Sequence, residues 1–141
     1  MIASKPQIDA SFVKRRAREL GMPDNMLEKN DEVLKYGFAE LEHCRKAGVK
    51  MAYGSDLLGA LEDEQTGEFK IRGRVMPAID VIRSATLVGA EVVRQEGKLG
   101  TIQPGAHADL LVVDGNPLED LSALLRPILV VARGRVVRPL G

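Results

Sequence analysis

The sequence predicts an α/β fold, and two features of its 141 residues carry that prediction. A helical apolar pattern ends at Gly48 and leads almost directly into the short apolar stretch Val49–Tyr53, which resembles the helix-to-strand half of an α/β unit. Beyond Gln95, glycines and prolines separate short apolar runs, a texture typical of β structure with tight turns. We therefore expect a helical first part followed by a smaller β-rich part.

Composition limits the classes of partner. Hydrophobic residues make up 45% of the chain, enough for a packed core, and 20 basic residues balance 20 acidic ones. Nucleic acids and acidic membranes attract a basic excess, so we expect neither as a partner. No run approaches the roughly 20 apolar residues that span a bilayer, and the N-terminus lacks the apolar run of a signal peptide. The single Cys44 excludes an internal disulfide, and a cytoplasmic protein is the expectation.

Two helices are predicted in the first part of the chain. Asp9–Leu20 is a short charged helix that Gly21 ends, because glycine readily takes the left-handed conformation of a helix end. A second helix is expected from about Asn25 or Asp31 to Ala47, since its apolar residues recur at helical spacing.

The middle of the chain is expected to hold a loop and then a helix. Gly54–Met76 is polar and has no convincing periodicity, and a loop of about 20 residues is more often functional than idle. A helix is predicted from Pro77 to Arg94, because proline is well tolerated in the first helical turn.

The last third is expected to be mainly β structure. Short apolar runs predict its strands, and two of them meet tightly at Gly134 as a hairpin. The predicted elements are strands Leu99–Ile102 and Ala108–Val113, a helical turn at Leu118–Leu125, and strands Ile128–Arg133 and Arg135–Arg138.

The local motif with the clearest chemistry is Gly54-Ser55-Asp56, which follows the predicted strand. In parallel α/β folds, side chains at the carboxyl end of a strand face the ligand. A carboxylate there can ligate a metal or act as a general base. The same tripeptide is also ordinary turn chemistry, and the spacing alone favours the turn. Because His43 and His107 lie far apart in the sequence, no histidine pair with metal-ligand spacing exists.

Longer stretches carry a family resemblance. The run from Gly97 to Leu118, which includes Pro-Gly-Ala-His-Ala-Asp, resembles the C-terminal signature of the metal-dependent amidohydrolase superfamily. Ala47–Asp56 is similar to the family's eighth barrel strand with its terminal aspartate, and Pro77–Thr86 to the following helix. The resemblance is to the branch of imidazolonepropionase and of zinc carboxypeptidases that cleave dipeptides at Xaa-Pro, Xaa-Arg or Xaa-Lys bonds.

This resemblance implies a fold and a domain division. The chain would be a C-terminal fragment of a (β/α)₈ barrel, comprising the last strand and its helices, plus part of the family's small β domain. Residues 1–95 would form the last barrel segment and residues 96–141 part of the small β domain.

The resemblance also implies a chemistry: metal-dependent hydrolysis of a carbon–nitrogen bond in a dipeptide, small amide or cyclic amide, with zinc as the expected divalent metal. Asp56 would contact the metal, accept a proton from the attacking water and deliver it to the leaving nitrogen. The loop Leu57–Arg74 would wall the substrate pocket, and charge alone suggests Arg72 and Arg74 for a substrate carboxylate.

The chain departs from the family pattern in length and in its ligands. A (β/α)₈ barrel takes about 250 residues, and the family's paired histidines and bridging lysine have no counterpart here. One carboxylate without imidazole partners predicts weak zinc binding or none, and an inactive isolated chain. The alternative is a non-catalytic, self-associating α/β module, with a homo-oligomer or a missing barrel segment covering its bare edges. An unrelated small α/β binding domain is a third interpretation.

Overall fold

A computed structural model of the chain describes residues 15, 17–19, 21–23, 36–57 and 59–137. The chain forms two compact units, Met1–His43 and Cys44–Gly141. The boundary predicted between residues 95 and 96 lies within the second unit, and the division into domains 1–95 and 96–141 stays a prediction.

The first helix of the chain is described only at its end. Arg15 and residues 17–19 are helical and form helix α1. The amide of Gly21 donates to the carbonyl of Arg18, and the amide of Met22 donates to that of Ala17, both at 2.9 Å. This is a Schellman motif, in which Gly21 takes a φ of 78°. The predicted end is confirmed, whereas the predicted start at Asp9 lies outside the described residues.

Helix α2 includes residues 36–46 and ends by the same device. Gly48, at a φ of 69°, donates from its amide to the Arg45 carbonyl at 3.1 Å. The Val49 amide donates to the Cys44 carbonyl at 2.9 Å, which completes the Schellman motif. The predicted end of this helix is confirmed, and its predicted start at Asn25 or Asp31 falls outside the described residues.

Residues 49–57 have no regular secondary structure, so the predicted strand Val49–Tyr53 is wrong for this chain. A strand is defined by its hydrogen-bonding neighbour. Here the Tyr53 amide donates to the Ser84 carbonyl at 3.0 Å, a group near the end of a helix rather than on a parallel strand.

The prediction of a loop over Gly54–Met76 is also wrong in part. A 3₁₀ helix covers Gly59–Gly67 and helix α3 covers Glu68–Arg72. A helix of five residues is too short to produce a visible apolar period, which is why the sequence pattern missed it. Packing stabilises it: a Cβ atom at Gly73 would lie 2.7 Å from Leu121 Cδ1, so the end of α3 closely contacts a second 3₁₀ helix, Leu121–Leu125.

The helix predicted over Pro77–Arg94 is two helices, α4 (Ala78–Ala85) and α5 (Leu87–Val92). Thr86 separates them with a φ of −117° and a ψ of −85°. Gly100 contacts this break, since a Cβ atom on it would lie 2.3 Å from the Thr86 carbonyl oxygen. The core of the unit is built around the two helices, with buried side chains at Val81, Ser84 and Ala90.

The second part of the unit is a three-stranded antiparallel sheet in the order β1 (Leu110–Val113), β2 (Pro127–Ala132), β3 (Arg135–Val137). Leu111 pairs with Val130, and Val130 with Val137. The predicted strands in these regions are confirmed within two residues at each end. The predicted strand Leu99–Ile102 is wrong, because that segment forms turns around Gly97 and Gly100.

Turn chemistry explains the hairpin and the helical turn of this part. Arg133 and Gly134 both have positive φ values, 51° and 74°, as a two-residue type I′ turn requires. The carboxylate of Asp109 accepts from the Arg133 amide at 2.6 Å. The second 3₁₀ helix (Leu121–Leu125) confirms the predicted helical turn, and the side chain of Asp120 caps it.

The close approach of Gly100 to Thr86 gives a stability prediction. Gly100→Ala adds a methyl group against a backbone carbonyl at a φ of 70°, so we expect a loss of about 2–4 kcal/mol. Gly105→Ala is the matched control, since its φ is 86° and no atom lies within 4 Å of an added Cβ. It should cost only about 1 kcal/mol, the penalty of the left-handed conformation. Urea denaturation measures both, and equal losses would contradict the proposed contact.

Candidate active site

Tyr53 is the residue that ties the segment 49–57 to the rest of its unit. Its ring packs on Phe69 with centroids 4.4 Å apart and an interplanar angle of 31°. Its hydroxyl donates to the Gln65 carbonyl at 2.7 Å, and its amide is bonded to Ser84 as described above. The Tyr53 side chain is thus held by the 3₁₀ helix and α3 together, and its backbone by α4.

A buried ion pair lies against this tyrosine. Arg72 Nε donates to Glu68 Oε1 across one turn of α3, and both side chains are about nine-tenths buried, with 9% and 12% exposed. The Arg72 guanidinium carbon lies 5.5 Å from the centre of the Tyr53 ring, in cation–π distance. Arg72 Nη1 and Glu68 Oε2 are buried without a hydrogen-bond partner in the described part of the chain. Arg72 therefore lies over the Tyr53 ring and binds Glu68 through its Nε.

The environment raises the pKa of Tyr53 to about 12, from an ordinary value of 10.0. Burial is the largest cause, and the negative charge of Glu68 adds to it. The positive charge of Arg72 and a backbone hydrogen bond at Phe69 act in the opposite direction. The neutral phenol is therefore the favoured form in the folded chain.

Asp56, the carboxylate expected to be catalytic, follows Tyr53 by three residues. Its backbone is left-handed with a φ of 52°, and its side chain is exposed. Among the described residues it has no hydrogen-bond or ion-pair partner. A left-handed residue other than glycine costs roughly 1 kcal/mol, and such strain concentrates at functional sites.

The two arginines predicted for a substrate carboxylate have different surroundings. Arg72 is buried on Tyr53 and Glu68, whereas Arg74 is exposed in the turn that follows α3. The structure therefore places Arg72 against Tyr53, three residues before Asp56. The roles of Asp56, Arg72 and Arg74 stay predictions.

Sequence reasoning missed Tyr53, Phe69 and Glu68. The four-residue spacing of Glu68 and Arg72 was a usable signal, because a glutamate four residues before an arginine is a favourable helical pair. The polar, aperiodic sequence around this pair predicts a loop, and a loop gives the four-residue spacing no meaning.

A metal centre needs several ligands, and the described chain does not assemble them. No group of three or more histidine, cysteine, aspartate or glutamate side chains in the described ranges is placed to hold a metal ion. A catalytic zinc site uses three protein ligands. Asp56 can contribute one of them, so the described residues by themselves do not fit a catalytic metal.

The Tyr53 environment predicts a pH effect. In a Tyr36→Phe background Tyr53 is the only tyrosine of the chain, and its ultraviolet titration should have a midpoint near pH 12. Because the pKa is raised on folding, this group stabilises the fold fully below pH 10, and the contribution is lost as the pH rises towards 12.

The matched comparison is Glu68→Gln, which removes the negative charge and should lower the midpoint towards 10. An unchanged midpoint in that variant would show that Glu68 does not face Tyr53 in solution.

No helix among the described residues has the length and apolar character needed to cross a membrane.

The chain is similar in sequence or structure to three proteins of known name. The chain is 27% identical over 128 residues to a 5-methylthioadenosine/S-adenosylhomocysteine deaminase of Symbiobacterium thermophilum, covering 74% of this chain and 29% of that protein. It is 42% identical to a prolidase crystallised with N-methylphosphonate-L-proline, with a TM-score of 0.85, covering 94% of this chain and 34% of that one. For a Xaa-Pro dipeptidase with bound methionine the identity is 31% and the TM-score 0.79, covering 92% and 32%.

These relatives are about three times as long as the chain, which spans 29–34% of each of them. The solved structures match most of the chain, whose helices and three-stranded antiparallel sheet agree with the expected fragment of the amidohydrolase fold. Members of the family generally depend on a metal. The family model for amidohydrolases matches residues 1–137, and the chain belongs to the amidohydrolase family.

Proposed function

We propose that this chain supplies the part of a metal-dependent hydrolase that carries the final barrel carboxylate, and that the complete site cleaves the amide bond of a dipeptide. The observation that carries the proposal is the 42% identity, over nearly the whole chain, to a prolidase whose ligand is a proline phosphonate. A Xaa-Pro dipeptide or a small cyclic or linear amide is the proposed substrate class.

In this proposal Asp56 is the proton-transferring group. Its exposed carboxylate is free, among the described residues, to accept a proton from an attacking water and return it to the leaving nitrogen. Zinc is the proposed metal, and Asp56 would be one of its ligands. The other ligands would have to come from residues beyond those the structure describes, because the described chain offers no ligand group of its own.

The proposed substrate ligands are Arg72 and Arg74. A dipeptide has a terminal carboxylate, and arginine binds carboxylates with two parallel hydrogen bonds. Arg74 supports this role through its exposure, whereas the Arg72 side chain is nine-tenths buried and would have to become accessible to bind a substrate.

A non-catalytic, self-associating module is the second candidate. Large apolar side chains are exposed on all three strands of the sheet, at Leu111, Ile128 and Val136. Bare apolar strands favour association with further strands. The free thiol of Cys44 is compatible with the cytoplasm, the proposed compartment.

The first experiment places this chain in the similar prolidase, in exchange for the third of that protein which it matches. We expect the hybrid to hydrolyse a Xaa-Pro dipeptide in the presence of zinc. Asp56→Asn should lower kcat by at least about a hundredfold, because the proton acceptor is lost. Asp80→Asn is the control, since Asp80 is an exposed carboxylate on α4 whose nearest cation is 3.8 Å away. Equal activity of the Asp56 variant and the parent hybrid would overturn the proposal.

The chain alone separates the two candidates. Its turnover of the same dipeptide with added zinc is expected to be undetectable, because one carboxylate cannot hold a catalytic metal. Light scattering measures its mass in solution. A stable monomer argues against the self-associating module, and zinc-dependent turnover by the chain alone would contradict the expected division of the site.

A further inference from the structure

We propose that Tyr53 is a positioning residue, braced by the Glu68–Arg72 ion pair, that holds Asp56 in its left-handed conformation. The value of this arrangement for catalysis rests on the function proposed above. The conformational claim itself concerns only contacts within this chain, so it can be tested without any activity.

The first step is the anchoring of Tyr53. Within the described chain, residues 49–57 have no partner strand. Tyr53 supplies contacts that a strand would otherwise receive from its neighbours. Its amide is bonded to Ser84, a residue that is itself 2% exposed. Its hydroxyl is bonded to Gln65, and its ring lies on Phe69. Backbone and side chain are thus both fixed, so the position of this residue does not depend on a single bond.

The second step is the brace. Arg72 lies over the Tyr53 ring, and Glu68 holds the Arg72 guanidinium by an i,i+4 bond within α3. A buried ion pair with one unsatisfied atom on each partner carries a large desolvation cost and is weak evidence for a stabilising role. Its geometric effect is clearer, because the bond from Arg72 Nε to Glu68 limits the positions that the guanidinium can take over the ring. Glu68 therefore acts on Tyr53 through Arg72.

The third step connects the anchor to Asp56. Aspartate tolerates the left-handed region better than most residues, so a modest constraint on the neighbouring backbone is enough to hold it there. Within the described chain Asp56 has no bond of its own that would do so. The nearest fixed point before it in the sequence is Tyr53, separated by Gly54 and Ser55. Releasing the ring should therefore let Asp56 relax to a negative φ, which changes the direction of its carboxylate.

The test is solution NMR on the full 141-residue chain. A positive φ brings the amide proton of a residue close to its own Hα, so Asp56 should give a strong intraresidue NOE between them. In Tyr53→Leu and Glu68→Gln we expect this NOE to weaken to the level of ordinary residues. Cross-strand NOEs between Leu111 and Val130 report that the sheet is intact in each variant.

Glu91→Gln is the matched control. Glu91 accepts from Lys50 at 2.6 Å, so this change removes another glutamate ion pair that ties down the same segment. That pair is exposed, with 71% of the lysine side chain accessible, and exposed pairs contribute little. The control should leave the Asp56 NOE unchanged.

Two milder changes keep the proposal testable if Tyr53→Leu fails to fold. Tyr53→Phe removes only the bond to Gln65, and Arg72→Lys keeps the charge while losing the planar fork. Both should weaken the Asp56 NOE in part. Shifted resonances of the aromatic ring at position 53 show that its packing has changed. If the Asp56 NOE keeps its parental strength in every folded variant with such a shift, the proposal is overturned.

The kinetic readout in the hybrid enzyme separates positioning from substrate binding. A misdirected carboxylate should lower kcat by roughly ten- to a hundredfold in Glu68→Gln while KM stays the same. A rise in KM with kcat unchanged would overturn the positioning role and assign the pair to the substrate instead. If the Asp56 NOE is lost in the variants of the chain but the parent hybrid has no activity, only the proposed function is refuted.

Discussion

The packing of Tyr53 against Phe69 and Arg72 is the constraint on which the candidate site depends. The segment that carries Asp56 has no strand on either side within the described chain, so it cannot take its shape from a hydrogen-bonded ladder. An aromatic ring that is fixed on its face, at its hydroxyl and at its backbone replaces the ladder. The conformation of the segment is therefore imposed by side-chain packing, which is specific to these residue types.

Several helices of the described chain end in one common backbone pattern. Three described helices end in the same Schellman pattern, with the left-handed residue at Gly21, Gly48 and Arg94. At Arg94 the motif is formed without glycine, through bonds from Arg94 to Glu91 and from Gln95 to Ala90 at 3.0 and 2.8 Å. Two successive backbone hydrogen bonds at the end of α5 thus offset the cost of a side chain at positive φ. The Schellman motif is formed by backbone hydrogen bonds, and glycine only lowers the conformational free energy that the motif costs.

This dependence explains which parts of the fold could be predicted from the sequence. The ends at Gly21 and Gly48 and the hairpin at Gly134 were predictable, because glycine is the residue that such turns favour. The break at Thr86 was not, since it depends on the approach of Gly100, a residue outside any helical window around it. Val49–Tyr53 has the composition of a strand, but its composition cannot supply the neighbouring strand that would make it one.

The candidate site divides in the same way. Asp56 was found through resemblance to a family, whereas its surroundings follow from contacts between Tyr53 and residues 12 to 19 positions later. A short helix that exists because of those contacts leaves little periodic signal in the sequence. Resemblance could propose the catalytic carboxylate, and only three-dimensional packing could propose the residues that orient it.

Barrel geometry explains why the metal ligands and the residues around Asp56 differ in how far apart they lie in the sequence. Catalytic residues of a (β/α)₈ barrel come from the ends of several strands, so any continuous third of such a chain can hold only a share of the metal ligands. The orientation of one carboxylate is a different matter, because Tyr53, Glu68 and Arg72 all lie within 20 residues of each other. Such local contacts form with little loop-closure entropy and need no strand from elsewhere. The contacts proposed to orient Asp56 are therefore contacts that this segment can form by itself.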